Sequence, residues 1–228
     1  DLDFVHRLME HEGISYFARH EDGKHTIVLC DDPACFAPAP GAETVPFFPP
    51  SSQAREPHVF SWMVENEIQT AGWELKDFQF KTPSTPLAHA AATGLTHTVA
   101  ESEYFEYPGT SAVQAEAEHY AKLRVERSAV EHEMVVAETD HRALHPGATF
   151  TLSDPTSALI PGQAKEWLVT SVRIHAENDE YGSSSAQREA GPVFSCSFTA
   201  IDATKPFRPP LTTLKPLVHG PQTAIVTG

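Results

Sequence analysis

The stretch Asp1-Leu2-Asp3-Phe4-Val5-His6-Arg7-Leu8-Met9-Glu10-His11-Glu12-Gly13-Ile14-Ser15-Tyr16-Phe17 changes its hydrophobic period at Gly13. Before it, Leu2, Val5, Leu8 and Met9, with Phe4 at the edge, recur at helical spacing and predict an amphipathic helix over 1–12. Asp1 can cap its start and Gly13 can supply a left-handed stop. After it, the apolar runs 14–17 and 26–29 predict a β-hairpin closed at Glu21-Asp22-Gly23-Lys24, where the Asp-Gly pair tolerates the positive φ that such turns require.

Outward from this unit the pattern is mostly that of strands. Residues 33–57 hold seven prolines; proline has no amide donor and is excluded from central strands, so the segment is expected to be a connector between two units. An apolar run covers 59–64. Trp73 and Leu75 share one face, whereas Phe78 and Phe80 fall on the other parity, which predicts a bulge near Lys76-Asp77. Residues 83–110 read as loop, with an alanine-rich patch at 88–92. A second helix is expected over 112–127, opened by a Ser111/Gln114 capping box and carrying an inner stripe of Val113, Ala117 and Tyr120; Glu116 and Glu118 lie early and Lys122, Arg124 and Arg127 late, as the helix dipole favours.

Strands resume at 134–137. His145-Pro146-Gly147 has type II turn order. Ala148, Phe150 and Leu152 alternate with threonines, 165–176 is a long strand through Trp167, Val169, Val172 and Ile174, and Phe194, Cys196, Phe198 and Ala200 alternate with polar neighbours. The polar stretch 177–191 is expected to be a loop. The sum is a mainly β chain with two helices (α+β), in which a barrel or barrel-like sheet hides the strand edges.

The net charge is -15, from 16 basic and 31 acidic residues, which argues against nucleic acid or anionic lipid as a partner. No apolar run is long enough to cross a bilayer as a helix, so no stable membrane anchoring is expected. The chain has no initiator methionine and no leader-like start, and it ends on a strand-like run, 223–228; both ends predict a piece of a longer protein. Cys30, Cys35 and Cys196 form an odd set at uneven spacing, which predicts no disulfide framework and a reducing compartment.

Catalytic patterns are missing. His6 and His11 lie about 140° apart on a helix and do not converge. His141 and His145 bracket a turn, Glu131-His132-Glu133 lacks the spacing of a helical metalloprotease motif, and no second thiol pair joins Cys30 and Cys35. There is no nucleophile elbow and no phosphate-binding loop; Gly182-Ser183-Ser184-Ser185 reads as a flexible loop. Cys196 sits on the apolar side of its strand, as a buried thiol does. Acid pairs such as Glu101/Glu103 and Glu116/Glu118 are plentiful, but sequence alone does not place two carboxylates across a cleft. The expectation is therefore no enzyme, with no catalytic, cofactor-binding or metal-binding residues and no cofactor. The reading of another class is a cell-wall or metal-dependent hydrolase that uses one of the acidic or histidine clusters.

The opening helix and the hairpin His20-Glu21-Asp22-Gly23-Lys24-His25 closely resemble the VgrG spike proteins of type VI secretion systems. The tail segments Phe207-Arg208-Pro209-Pro210, Lys215-Pro216 and Gly220-Pro221-Gln222-Thr223-Ala224-Ile225-Val226-Thr227-Gly228 look like that family's junction between its phage-hub-like base and the OB-fold that begins the needle. Leu144-His145-Pro146-Gly147-Ala148-Thr149-Phe150-Thr151-Leu152 and Trp167-Leu168-Val169-Thr170-Ser171-Val172 are also similar to family segments. The resemblance implies a structural part: a homotrimer in the full-length protein, docked on the hexameric Hcp tube, with a PAAR tip protein and effectors reached through other regions. It implies assembly in the bacterial cytoplasm followed by secretion or delivery into a target cell. A phage or phage-like contractile tail hub shares the fold and is the alternative. The implied organisation is a helix plus β-hairpin subdomain at 1–35, a Pro-rich connector at 36–57, a second hub-like β-barrel at 58–204 with an inserted loop and the helix 112–127, and a linker at 205–228 into a missing OB-fold and needle.

Overall fold

Apolar residues at alternating positions dominate the second half of the chain, and strands built from them curl around a single core. A computed structural model describes residues 2–50, 55–95, 102–153, 165–177, 193–217, 220–221 and 223–225. In chain order the elements are α1 (Leu2–Glu12), β1 (Ser15–Glu21), β2 (Lys24–Cys30), a short 3-10 turn (Pro33–Cys35), β3 (Ala37–Pro38), β4 (Thr44–Pro46), β5 (Val59–Asn66), β6 (Gly72–Asp77), β7 (Leu87–Ala92), β8 (Glu103–Glu106), α2 (Gln114–His132), β9 (Glu133–Thr139), β10 (Ala148–Ser153), β11 (Glu166–Glu177) and β12 (Val193–Asp202).

The main sheet runs β3-β10-β11-β12-β9-β5, with β4 also pairing β10. It curls into a half-barrel whose two ends touch at one parallel bridge, Phe47 to Val59; the Phe48 amide donates to the Val59 carbonyl there at 2.9 Å. Val45, Val59, Val135, Phe150, Trp167 and Phe198 fill the inside and are fully buried. Trp62 packs edge-on against both Trp167 and Phe150, with centroids at 5.3 and 6.3 Å, the geometry aromatic quadrupoles favour. The alternations expected at Ala148/Phe150/Leu152 and at Cys196/Phe198/Ala200 all point inward.

The segment expected to be a featureless connector contributes β3 and β4, which run parallel to β10. Its prolines are tolerated because these strands are two and three residues long and lie at the sheet's edge. The expected loop at 83–110 contains β7 and β8, which flank β6 in a three-stranded sheet. Its alanine patch is β7 itself. Alanine has low strand propensity, which hides the strand from the sequence, but its small side chains leave room for α2 to pack closely against the sheet. No bulge occurs at Lys76-Asp77: β6 pairs β7 without a break and ends at Asp77, so Phe78 and Phe80 lie beyond the strand and are exposed. The bulges that do occur fall between Val59 and Ser61 and between Val169 and Ser171.

α2 starts two residues later than expected and runs five residues further. Ser111 does not cap it: the N-cap position is Val113, and the Ser111 hydroxyl turns back to donate to the Gly109 carbonyl at 3.5 Å. Glu116 instead reaches back to accept from the amides of Ala112 and Val113, at 2.6 and 3.3 Å. The buried stripe is Ala117, Ala121, Arg124 and Ser128, with Leu123, Arg127 and Val130 beside it; Val113 is exposed and Tyr120 half-buried. Two late arginines assigned to the helix dipole are thus interior groups.

The hairpin register is unbroken from Ser15–Cys30 to Glu21–Lys24, and only Gly23 of its turn adopts a positive φ, 67°. Phe17 projects from β1 onto the His145-Pro146-Gly147 turn, where the Ala148 amide closes onto the His145 carbonyl at 3.1 Å. Gly147 has φ 85°, and a Cβ there would lie 2.5 Å from the Phe17 ring. Both backbone conformation and packing therefore demand glycine. Contrary to the expectation of no disulfide, Cys30 pairs with Cys35, their Cα atoms 5.9 Å apart. The 3-10 turn brings the second thiol back to the end of β2, a proximity that spacing alone does not disclose.

Candidate functional site

α1, the middle of α2 and the segment after β12 converge, and three charged residues lock them together. Phe207 first anchors the departing chain by packing on a small cluster of Val130, Leu168 and Ile201 outside the half-barrel. Arg208 then points inward. Its Nε donates to Glu126 Oε2 at 2.6 Å, and its Nη1 donates to the carbonyls of Gly13 (3.0 Å) and Asp31 (2.8 Å). One guanidinium thus joins the end of α1, the end of the hairpin and α2. The close fit also explains Gly13: its φ is 71°, and a Cβ there would lie 2.8 Å from Leu123 and 3.1 Å from Arg208.

Arg127 makes the second lock. Its Nε donates to the Pro209 carbonyl at 2.6 Å and its Nη2 to the Glu10 carbonyl at 2.9 Å, while Nη1 is buried without a hydrogen-bond partner. Burial first, and then the neighbouring Arg124 charge, push its pKa down to about 10, so it stays charged near neutral pH. Arg124 faces the other way and forms a two-pronged pair with Glu106 of β8, at 3.0 and 3.3 Å, the fork geometry that suits guanidinium and carboxylate. The two arginines tie α2 to the tail on one side and to the small sheet on the other.

Glu10 is the third lock. Its Oε2 accepts from the amides of Thr212 and Thr213 at 3.0 and 2.9 Å, and its Oε1 accepts from their hydroxyls at 3.3 and 2.7 Å. Burial alone would raise its pKa, but the bonds from Thr213 and Thr212 outweigh it and hold the carboxyl below its ordinary value. Two residues on, Glu12 accepts from the Tyr120 hydroxyl at 3.0 Å. Burial and that carboxylate raise the Tyr120 pKa to about 12. A cleft of about 300 Å³ lies under α1, lined by His6, Met9, Glu10, Tyr16, Thr170 and Phe207 among others.

The groups weighed from the sequence are engaged separately. His6 bonds the Tyr16 hydroxyl at 2.9 Å, while the His11 ring packs at a tilt against Tyr120. His132 lies 2.9 Å from the Glu67 carbonyl, and His141 accepts from the Ala143 amide. Glu116 caps α2, and Glu118 faces His89 at 3.9 Å. Among the described residues no three or more His, Cys, Asp or Glu side chains gather as a metal site. Cys196 is buried, and that burial raises its thiol pKa. Glu101, the serine run 183–185 and most of the 177–191 stretch lie outside the described residues, as do 226–228 of the terminal run. Residues 223–225 are not in a strand, and Ile225 is 92% exposed.

α1 has an unexpected orientation. Leu2, Val5 and Leu8, read as the apolar face of an amphipathic helix, are exposed with Phe4, and Ile27 and Leu29 of the hairpin are exposed as well. Periodicity showed that the helix has an apolar face but could not show whether this chain alone covers it.

The sequence profile of the phage tail baseplate hub (GPD) family matches residues 1–180. The chain belongs to this hub family. Over all 228 residues it is 35% identical to the type VI secretion system spike protein VgrG1c of Pseudomonas aeruginosa and spans 31% of that protein's length. Two solved hub-like structures share the fold. The E. coli c3393 protein, described as a component of the type VI secretion system with structural similarity to the T4 phage tail proteins gp27 and gp5, aligns with TM-score 0.55 at 19% identity, over 96% of this chain and 42% of that one. The 43 kDa tail protein of prophage MuSo2 from Shewanella oneidensis aligns with TM-score 0.54 at 9% identity, over 91% and 54%. The hub profile covers α1, the hairpin, α2 and most of the half-barrel, and so Glu10 and Arg127; Arg208 and the threonines that bind Glu10 lie beyond the matched residues.

Proposed function

We propose that this chain is the base module of a type VI secretion spike: a structural part of a trimeric puncturing device that docks on the Hcp tube, without enzymatic activity of its own. The similarity to VgrG1c along the whole chain carries this reading. In this role residues 1–35 and the half-barrel form part of the base, and the segment after β12 leads toward an OB-fold and needle. The three locks suit that role, because they fasten the departing segment to both helices at the point where a load from the needle enters. The exposed apolar face of α1 and the hairpin suits burial between subunits, since obligate interfaces are largely apolar. A PAAR tip protein and effectors attach through other regions. The assembly forms in the bacterial cytoplasm and is then expelled.

Sedimentation of a full-length spike chain carrying this sequence is the test. A trimer that co-sediments with Hcp tubes is expected. A strictly monomeric species at high concentration would sink the proposal. The match of the tail-hub profile to residues 1–180 favours, as a second reading, a phage-like contractile tail hub. Neighbouring genes for sheath and capsid, rather than for a secretion apparatus, would decide for it.

A further inference from the structure

The hairpin carries a feature that the base role does not use. His20 and His25 occupy directly opposite positions on β1 and β2. Their Nδ1 atoms are 2.7 Å apart, their rings meet edge-on with centroids at 4.8 Å, and both side chains are exposed. In the neutral pair one Nδ1 donates its proton to the lone pair of the other, so two imidazole nitrogens already face each other across the hairpin.

We propose that His20 and His25 form a surface chelate for a divalent transition metal of square-planar or tetragonal preference, Cu²⁺ before all others. The spacing selects the metal. Two nitrogens at about 2.0 Å from an ion and at right angles to each other are about 2.8 Å apart, whereas a tetrahedral zinc site with bonds of about 2.05 Å needs about 3.35 Å. In nitrogen–nitrogen spacing the pair lies about a tenth of an ångström from the tetragonal arrangement and more than half an ångström from the tetrahedral one, and to receive the ion the exposed rings turn so that both lone pairs leave the N–N line. The unbroken register beside the Asp22-Gly23 turn holds the two backbone positions opposite each other. On binding, the bridging proton leaves Nδ1 and the Nε2–H tautomer of that ring takes its place, so both Nδ1 lone pairs face the ion and the imidazoles remain neutral. No third His, Cys, Asp or Glu joins the pair among the described residues, so water completes the coordination and the ion exchanges readily. The chain's net charge of -15 favours cation approach.

Calorimetric titration of the folded chain with Cu²⁺ near neutral pH, in a non-coordinating sulfonate buffer, tests this. Paramagnetic resonance supplies the structural readout. One equivalent with two nitrogen ligands is expected, and Zn²⁺ should bind more weakly. Affinity should fall by more than about tenfold in both His20→Ala and His25→Ala, since even second-shell losses cost about that much at metal sites. His175→Ala, an exposed histidine on β11, should leave it unchanged. Equal affinity in the wild type and the doubly substituted chain, or a one-nitrogen signal, would overturn the proposal. Both side chains are exposed, so thermal melting of the variants should match the wild type and keep the comparison clean.

Discussion

Replacing Arg208 by alanine should release the segment after β12 from the helices. The change removes a 2.6 Å pair with Glu126, in which the two side chains are only 12% and 15% exposed, and two bonds to main-chain carbonyls. Hydrogen bonds to charged groups contribute about 1.5–3 kcal/mol, and breaking a fully buried pair costs about 3–5 kcal/mol. Two features place Arg208 below that upper bound: both partners keep some access to water, and Lys122 lies 3.7 Å from the abandoned Glu126. A loss of about 2–4 kcal/mol follows, which lowers the melting temperature of a chain this size by about 4–16 °C. Chemical denaturation and calorimetry give the global figure. Amide exchange at Thr212 and Thr213 gives the local one, and protection there should fall with the release. A double-mutant cycle with Glu126→Gln isolates the pair. A loss below about 0.5 kcal/mol, the range of ordinary surface substitutions, with unchanged exchange at the threonines, would refute the view of Arg208 as the central lock.

Two further outcomes test neighbouring parts. The Glu10 carboxyl is held below its ordinary pKa, so it contributes stability that is present above its unfolded value and lost as pH falls through the depressed folded value; protection at Thr212 and Thr213 should weaken in acid, and Glu10→Gln should abolish that pH dependence. Gly147→Ala forces a side chain into a φ of 85° and against the Phe17 ring; about 2–4 kcal/mol should be lost, from the left-handed strain plus the clash, and a denaturation curve matching the wild type would show that the turn yields.

The β framework was legible wherever apolar residues alternate. The stretches through Phe150, Trp167 and Phe198 were read with nearly correct bounds because a buried face imposes a period of two. β7 was not legible, because alanine carries almost no strand signal and its role is to admit α2. The locks were equally hidden. Arg124 and Arg127 look like ordinary late-helix cations until β8 and the tail supply carboxylate and carbonyl partners far away in sequence. The one available signal was Glu10 followed by Gly13, an acid and a tight stop where the chain must later accept a visitor. The outward face of α1 was visible as a stripe, but a stripe does not say which molecule covers it.

Arg127 and Arg208 grip the carbonyls of Glu10, Gly13, Asp31 and Pro209, groups that every amino acid possesses. The identities at Asp31 and Pro209 can drift without changing what the arginines recognise, provided the backbone follows the same route. At these carbonyls the clasp follows the course of the chain, whereas Glu126 and Gly13 are required by identity.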